Sequence, residues 1–182
     1  INFPIQCNQA YDVKAQSVTQ QGLVFPGLYH NLRSSITSNE YWVNLDCDSN
    51  VTSGIVTIQI NGPITYVSPS QGALVPQVNG NVFTYSIANF STITNNSFGL
   101  TLLTDSTAQQ QDEICVHVTV SPSPIDADTS NNHYDFCYTV ANSQDPNMKE
   151  VYPVNVLPGY DDWFNYTIHF QNTGNAPAFN IS

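Results

Sequence analysis

The chemistry this chain could offer lies in four cysteines, four histidines and a few knots of acidic and amide residues. Cys7, Cys47, Cys115 and Cys137 show no Cys-x-x-Cys spacing, so the even count reads as two disulfides formed in an oxidising compartment rather than as a zinc ligand set. Buried free thiols are the plainer alternative. His30, His117, His133 and His169 fall singly on or beside strand-like runs, where a solvated sheet histidine is the ordinary outcome, and alternation puts His169 on a polar face. Asp126-Ala127-Asp128 followed by Asn131 and Asn132 gathers hard oxygen ligands of the kind Ca2+ selects into one loop, with Asp126, Asp128 and Asn131 as the candidate set. The spacing lacks the central Gly and distal Glu of an EF-hand, and an Asx-rich turn bonding its own backbone competes with the metal reading. Asp46 and Asp48 flank Cys47, and Asp161-Asp162 precede Trp163; each pair is either part of an ion site between domains or a solvated loop carboxylate pair. No GxSxG elbow, HExxH helix, Walker loop or GxGxxG turn occurs, so the sequence predicts no enzyme.

The elements that must position these groups are strands. Runs with alternating or β-branched character cover residues 11–19, 28–37, 54–60, 64–68, 82–88, 98–104, 113–121 and 133–141, and the one helix-friendly stretch, 105–113, is too short and polar for a core helix. Asn61-Gly62-Pro63, Asn79-Gly80-Asn81 and Pro122-Ser123-Pro124 supply turn chemistry between them. Eight short strands with these turns predict an all-β, immunoglobulin-like antiparallel β-sandwich. Antiparallel partners share a constant index sum: Ser121 with Asn132 gives 253 and Cys115 with Cys137 gives 252. Within one residue of error in the strand ends, the two cysteines face each other across a hairpin, at a separation a disulfide can span. Cys7 and Cys47 are then left to pair, one ahead of the first strand and one after the second, at the same end of the sandwich.

The organisation read from the chain is the end of a preceding segment at 1–10, a sandwich at 11–141, a linker at 142–150, and the first strands of a second, incomplete β-sandwich module at 151–182. In that last part the runs 151–156 and 163–171 resume strand character. Phe164, Tyr166, Ile168 and Phe170 alternate with Trp163, Asn165, Thr167 and His169, so a lone strand with one apolar face is expected. Such a strand must pack on the first domain, on another chain or on further sequence of the full protein, and neighbouring repeat domains or other copies of the chain, joined by β-strand contacts, are the partners expected.

Composition narrows the partners further. Charged residues are 9% of the 182, and hydrophobic residues 41%, so a core is affordable while solubility rests on amides and hydroxyls. Fourteen acids against three bases give a net charge of -11, which phosphate backbones and anionic bilayers repel, so no nucleic-acid partner is expected. No apolar run approaches the roughly 20 residues of a membrane span, so no membrane insertion is expected either. The cysteines imply export, and the absence of a signal peptide at Ile1 suggests a piece of a longer precursor. Most of the 21 aromatics must fill cores, but Trp42 and Trp163 are candidates for a sugar-binding platform, which would make a glycan the ligand.

The run from Val140 through Asn142-Ser143-Gln144-Asp145-Pro146-Asn147 to Val151, followed by Tyr166-Thr167-Ile168-His169-Phe170-Gln171-Asn172-Thr173-Gly174-Asn175-Ala176-Pro177-Ala178-Phe179-Asn180-Ile181, resembles the "VNSYDPNDK... YTIRFQNTGTAPAFNI" run of repeat domains in large secreted or surface proteins of the Bacteroidetes. Asn2-Phe3-Pro4-Ile5, Pro26-Gly27 and Ser53-Gly54-Ile55-Val56-Thr57 are similar to the module that precedes that run. Met148 stands where the family has an acidic residue and His169 where it has Arg, and the four cysteines are not a general family feature. The resemblance implies a β-sandwich in a multi-domain protein exported through the type IX system, extracellular or on the bacterial cell surface. It also implies that Asp105-Ser106-Thr107 matches a short O-glycosylation pattern, with the sugar on Ser106. The function expected is a structural spacer in a surface or filament protein. A carbohydrate-binding module or a non-catalytic appendage of a secreted hydrolase is the alternative.

Overall fold

The computed structural model describes residues 12–38, 53–123, 128–142, 148–172 and 174–177. It divides into two units, one running to Val140 and one from Ala141. Among its described residues the first holds nine strands: β1 (Val13–Gln21), β2 (Tyr29–Ser38), β3 (Ser53–Asn61), β4 (Ile64–Pro69), β5 (Gln77–Asn79), β6 (Val82–Ile87), β7 (Phe98–Thr104), β8 (Glu113–Ser123) and β9 (His133–Thr139). They form two antiparallel sheets, ordered β1-β2-β7-β4 and β5-β6-β3-β8-β9. Among the described residues no helix is long and apolar enough to cross a membrane.

Period-2 alternation explains why these runs are strands and where they pack. In β8, Ile114, Val116, Val118 and Val120 are buried while Cys115, His117 and Thr119 point outward. Phe83, Tyr85 and Ile87 of β6 do the same beside Val56, Ile58 and Ile60 of β3. The facing sheet contributes Leu32, Ile36, Phe98, Leu100 and Leu102 to one core. Aromatic pairs pin the two sheets together, Tyr66 with Phe83 at 5.0 Å and Tyr85 with Phe98 at 5.1 Å between ring centroids. The all-β sandwich expected from the alternation is the fold observed.

Its details differ in three places. Asn61-Gly62-Pro63 is not a hairpin turn but a corner that carries the chain from the five-stranded sheet to the four-stranded one. Gly62 sits there at φ +140°, and a Cβ would lie 2.7 Å from the Glu113 carbonyl oxygen, so no side chain fits. β5 was not expected: its three residues are all exposed, and the Gly80-Asn81 turn folds them onto β6. β9 stops at Thr139, two residues short of the expected end. Val140 turns inward, is fully buried, and donates its N–H to the Asp112 carbonyl at 2.9 Å.

The second unit contains β10 (Met148–Tyr152) and β11 (Asn165–His169), paired antiparallel with Val151 opposite Tyr166 and Lys149 opposite Ile168. The expected lone strand is therefore one arm of a hairpin. Its partner begins inside the stretch read as a linker, and it ends where Pro153 removes the next backbone donor rather than running on to residue 156.

Candidate functional site

On the outer face of the five-stranded sheet, Cys115 stands directly opposite Cys137 in the β8–β9 ladder, and a disulfide joins them with a Cα–Cα distance of 4.1 Å. The ladder keeps an index sum of 252 throughout, from Glu113 with Thr139 to Thr119 with His133. One step along the same face, His117 Nδ1 lies 2.8 Å from Asp135 Oδ1, both side chains well exposed. A base held by a carboxylate is half of a catalytic triad; among the described residues no hydroxyl hydrogen-bonds the other ring nitrogen. Cys7 and Cys47 lie outside the described residues.

A second polar constellation is buried between the sheets. His30, on β2, is 1% exposed; its Nε2 is 2.9 Å from the Tyr138 hydroxyl of β9 and its Nδ1 is 3.2 Å from the Thr104 hydroxyl of β7. Burial holds the His30 pKa below its usual value and pushes that of Tyr138 well above the usual phenol range. Both groups are thereby kept neutral, and the imidazole serves as a hydrogen-bonded rivet across the core. Sequence reading overlooked it, although its parity with Leu32, Ser34 and Ile36 marks His30 as inward-facing.

The candidate calcium loop is built differently from a ligand shell. Asp128 Oδ1 accepts from the Ser130 hydroxyl at 2.5 Å and the Ser130 backbone N–H at 3.0 Å, and these bonds lower its pKa. Asp128 thus caps the short turn Thr129–Asn131. The Asn131 side-chain amide donates to Asp12 Oδ1 at 3.0 Å and to Asp128 Oδ2 at 3.4 Å, so an N–H group faces the two carboxylates where a cation ligand would present oxygen. Asp126 lies outside the described residues, and Asp12 is a partner that spacing alone did not nominate. Among the described residues no group of three or more His, Cys, Asp or Glu side chains is arranged to hold a metal ion. Ser106 sits at the exposed corner of a turn closed by the Ala108 N–H to the Asp105 carbonyl at 3.1 Å.

In the second unit the alternation of β11 and the register with β10 put Val151, Tyr166 and Ile168 on one hairpin face, with Phe164 and Phe170 continuing the same parity at either end. Phe164 is 44% exposed, Tyr166 57%, Ile168 53% and Phe170 59%. Lys149 Nζ lies 4.4 Å from the centre of the Tyr166 ring, and Tyr160 packs edge-on to Phe164 at 5.3 Å. No family model, curated protein or solved structure matches the chain. The opposite face bears Met148, Glu150 and Tyr152 against His169, Thr167 and Asn165, with His169 Nε2 3.6 Å from Glu150 Oε2. The Tyr166 face is thus the more apolar of the two, with Lys149 its charged member, while the other mixes Met148 and Tyr152 with polar side chains.

Proposed function

We propose that the chain is a structural β-sandwich module of a large exported protein of the cell surface or an extracellular filament, acting as a stiff spacer that joins its neighbours through β-sheet contacts. The observation that carries this reading is the exposed apolar face of the β10–β11 hairpin. A two-stranded hairpin is marginally stable in water by itself. Fully burying a side chain such as Phe164, Tyr166, Ile168 or Phe170 contributes roughly 1.5 to 3 kcal/mol, and about half of each is still to be gained. Such a face is suited to another β-sheet, in a neighbouring repeat or a second copy. The Cys115–Cys137 bridge and the neutral His30 rivet suit the sandwich to exposure outside the cell. In a host that O-glycosylates exported proteins, Ser106 is the position at which the sugar would sit. A double variant, Tyr166→Asp with Ile168→Asp, tests the reading. It should lose binding to a neighbouring module supplied as a separate protein, measured by co-sedimentation, while the sandwich keeps its thermal transition; undiminished binding to that module would remove the hairpin from the assembly.

A carbohydrate-binding role has one observation in its favour: Trp163 is 87% and Tyr152 73% exposed, flat apolar surfaces of the kind sugar rings stack on. Titration calorimetry against soluble polysaccharides, repeated with Trp163→Ala, separates the two readings, since only a sugar platform gives heat that the substitution abolishes.

A further inference from the structure

Among the described residues the sandwich has four sheet edges, and three carry a feature that discourages pairing. β1 is interrupted by a register shift between Ala15 and Ser17. β4 is interrupted between Tyr66 and Ser68 and ends in Pro69. β5 has only three residues. The fourth edge, β9, is different: its seven residues run in unbroken register against β8, with no bulge, proline, glycine or lysine.

Which of its backbone groups are free follows from the ladder. Just beyond its two ends, Val120 N–H bonds the Asn132 carbonyl and Val140 N–H bonds the Asp112 carbonyl, and both pairs keep the sum of 252 at even positions. The even-numbered residues of β9 are therefore the ones bonded to β8. The short Cα–Cα distance of 4.1 Å between Cys115 and Cys137 agrees, since narrow pairs are the ones that exchange no backbone bonds. His133, Asp135, Cys137 and Thr139 consequently aim N–H and C=O away from β8, and among the described residues β9 pairs with β8 alone. β1, which belongs to the other sheet, approaches β8 as well as β9 and bonds to neither strand's ladder.

We infer that β9 is a self-association edge, at which two copies of this chain join antiparallel through their β9 strands into one continuous sheet. The occupant is a second copy because the strand is self-complementary in the register that uses its whole length. An index sum of 272 bonds His133 to Thr139 and Asp135 to Cys137 of the other copy. On the inner face it sets Phe136 against its symmetry mate and Tyr134 against Tyr138. These three rings are only partly buried in the single chain, so the pairing covers them with one another. Slipping two residues, to a sum of 270, would set Asp135 opposite its own mate, and like charges directly opposed disfavour that alternative.

The inference stands apart from the hairpin reading, and the experiment separates them. Sedimentation equilibrium of the chain should give a dimer. Asp135→Pro, which places a ring where an outward N–H stood without removing a bond to β8, should halve the mass while leaving the circular dichroism and thermal transition close to the parent's. Phe136→Cys should form a covalent dimer under mild oxidation, with the new bridge located at position 136 by peptide mapping. This second variant decides the matter if the proline variant does not fold. The dimer should survive in Tyr166→Asp/Ile168→Asp. A monomeric parent, a dimer unaffected by Asp135→Pro, no bridge at position 136, or a dimer lost only in the hairpin variant would each overturn the proposal.

Discussion

His30 is the residue on which the sandwich depends most unequally across pH. It is neutral, enclosed, and bonded at both ring nitrogens. Its folded pKa is lowered, so the unfolded chain binds the proton more readily, and stability present above the ordinary value of 6.5 is lost as pH falls below it toward the folded pKa. Melting temperature should therefore drop on the acid side of neutrality. His30→Leu should flatten that part of the profile while costing roughly 1 to 3 kcal/mol in urea unfolding, because the Thr104 and Tyr138 hydroxyls lose their partner inside the core. A profile unchanged by the substitution would assign the acid response elsewhere. At this scale the sequence was legible where arithmetic applied and silent where direction mattered. Cys115 and Cys137 could be paired by their index sum, but that Asn131 turns its N–H, not its oxygen, toward Asp12 and Asp128 is decided by packing between segments 119 residues apart.

Within the sandwich, strands were legible in proportion to their burial. β3, β6, β7 and β8 alternate because one face is sealed against the opposite sheet, and the pattern survives in the sequence. β5 left no such trace: all three of its residues are exposed, so register with a neighbour alone defines it, and β10, with four of five residues exposed, was read only in its last two residues as the start of the run 151–156. The Gly62 corner was legible as a turn but not as a change of sheet, since turn chemistry reports a reversal and not its destination. The β8–β9 hairpin yields an element-scale prediction. Replacing Cys115 and Cys137 together by alanine releases a loop of sequence separation 22, and in the chain-entropy view should lower stability by about 3 kcal/mol. Equilibrium urea unfolding under non-reducing conditions checks it; a loss below about 1 kcal/mol would mean that the ladder alone fixes β9.

For the molecule as a whole, an excess of acid with very few bases frames the calcium question. The Asp128 turn is closed by its own hydrogen bonds, so adding Ca2+ or a chelator should leave the melting temperature where it was. A rise with Ca2+ that disappears in Asp128→Asn would instead make the turn an ion site. The fold class could be read from alternation and turn chemistry; the function could not, because a fold does not fix a function and the exposed faces and edges that would meet a partner obey weaker rules than cores.

The bond between Asn131 and Asp12 has one more implication. It ties the start of β1 to the start of β9, and both strands run from that end of the sandwich, so β9 delivers the chain to the far end, where Val140 meets Asp112. From Asp12 to Val140 the described chain therefore starts at one pole and ends at the other. A pull on the chain would act along the strands, loading the ladders in shear so that many hydrogen bonds resist together, rather than unzipping them one at a time. Should β9 give way, the Cys115–Cys137 bridge would withhold the intervening chain from stretching, a molecular stop on how far the sandwich can lengthen.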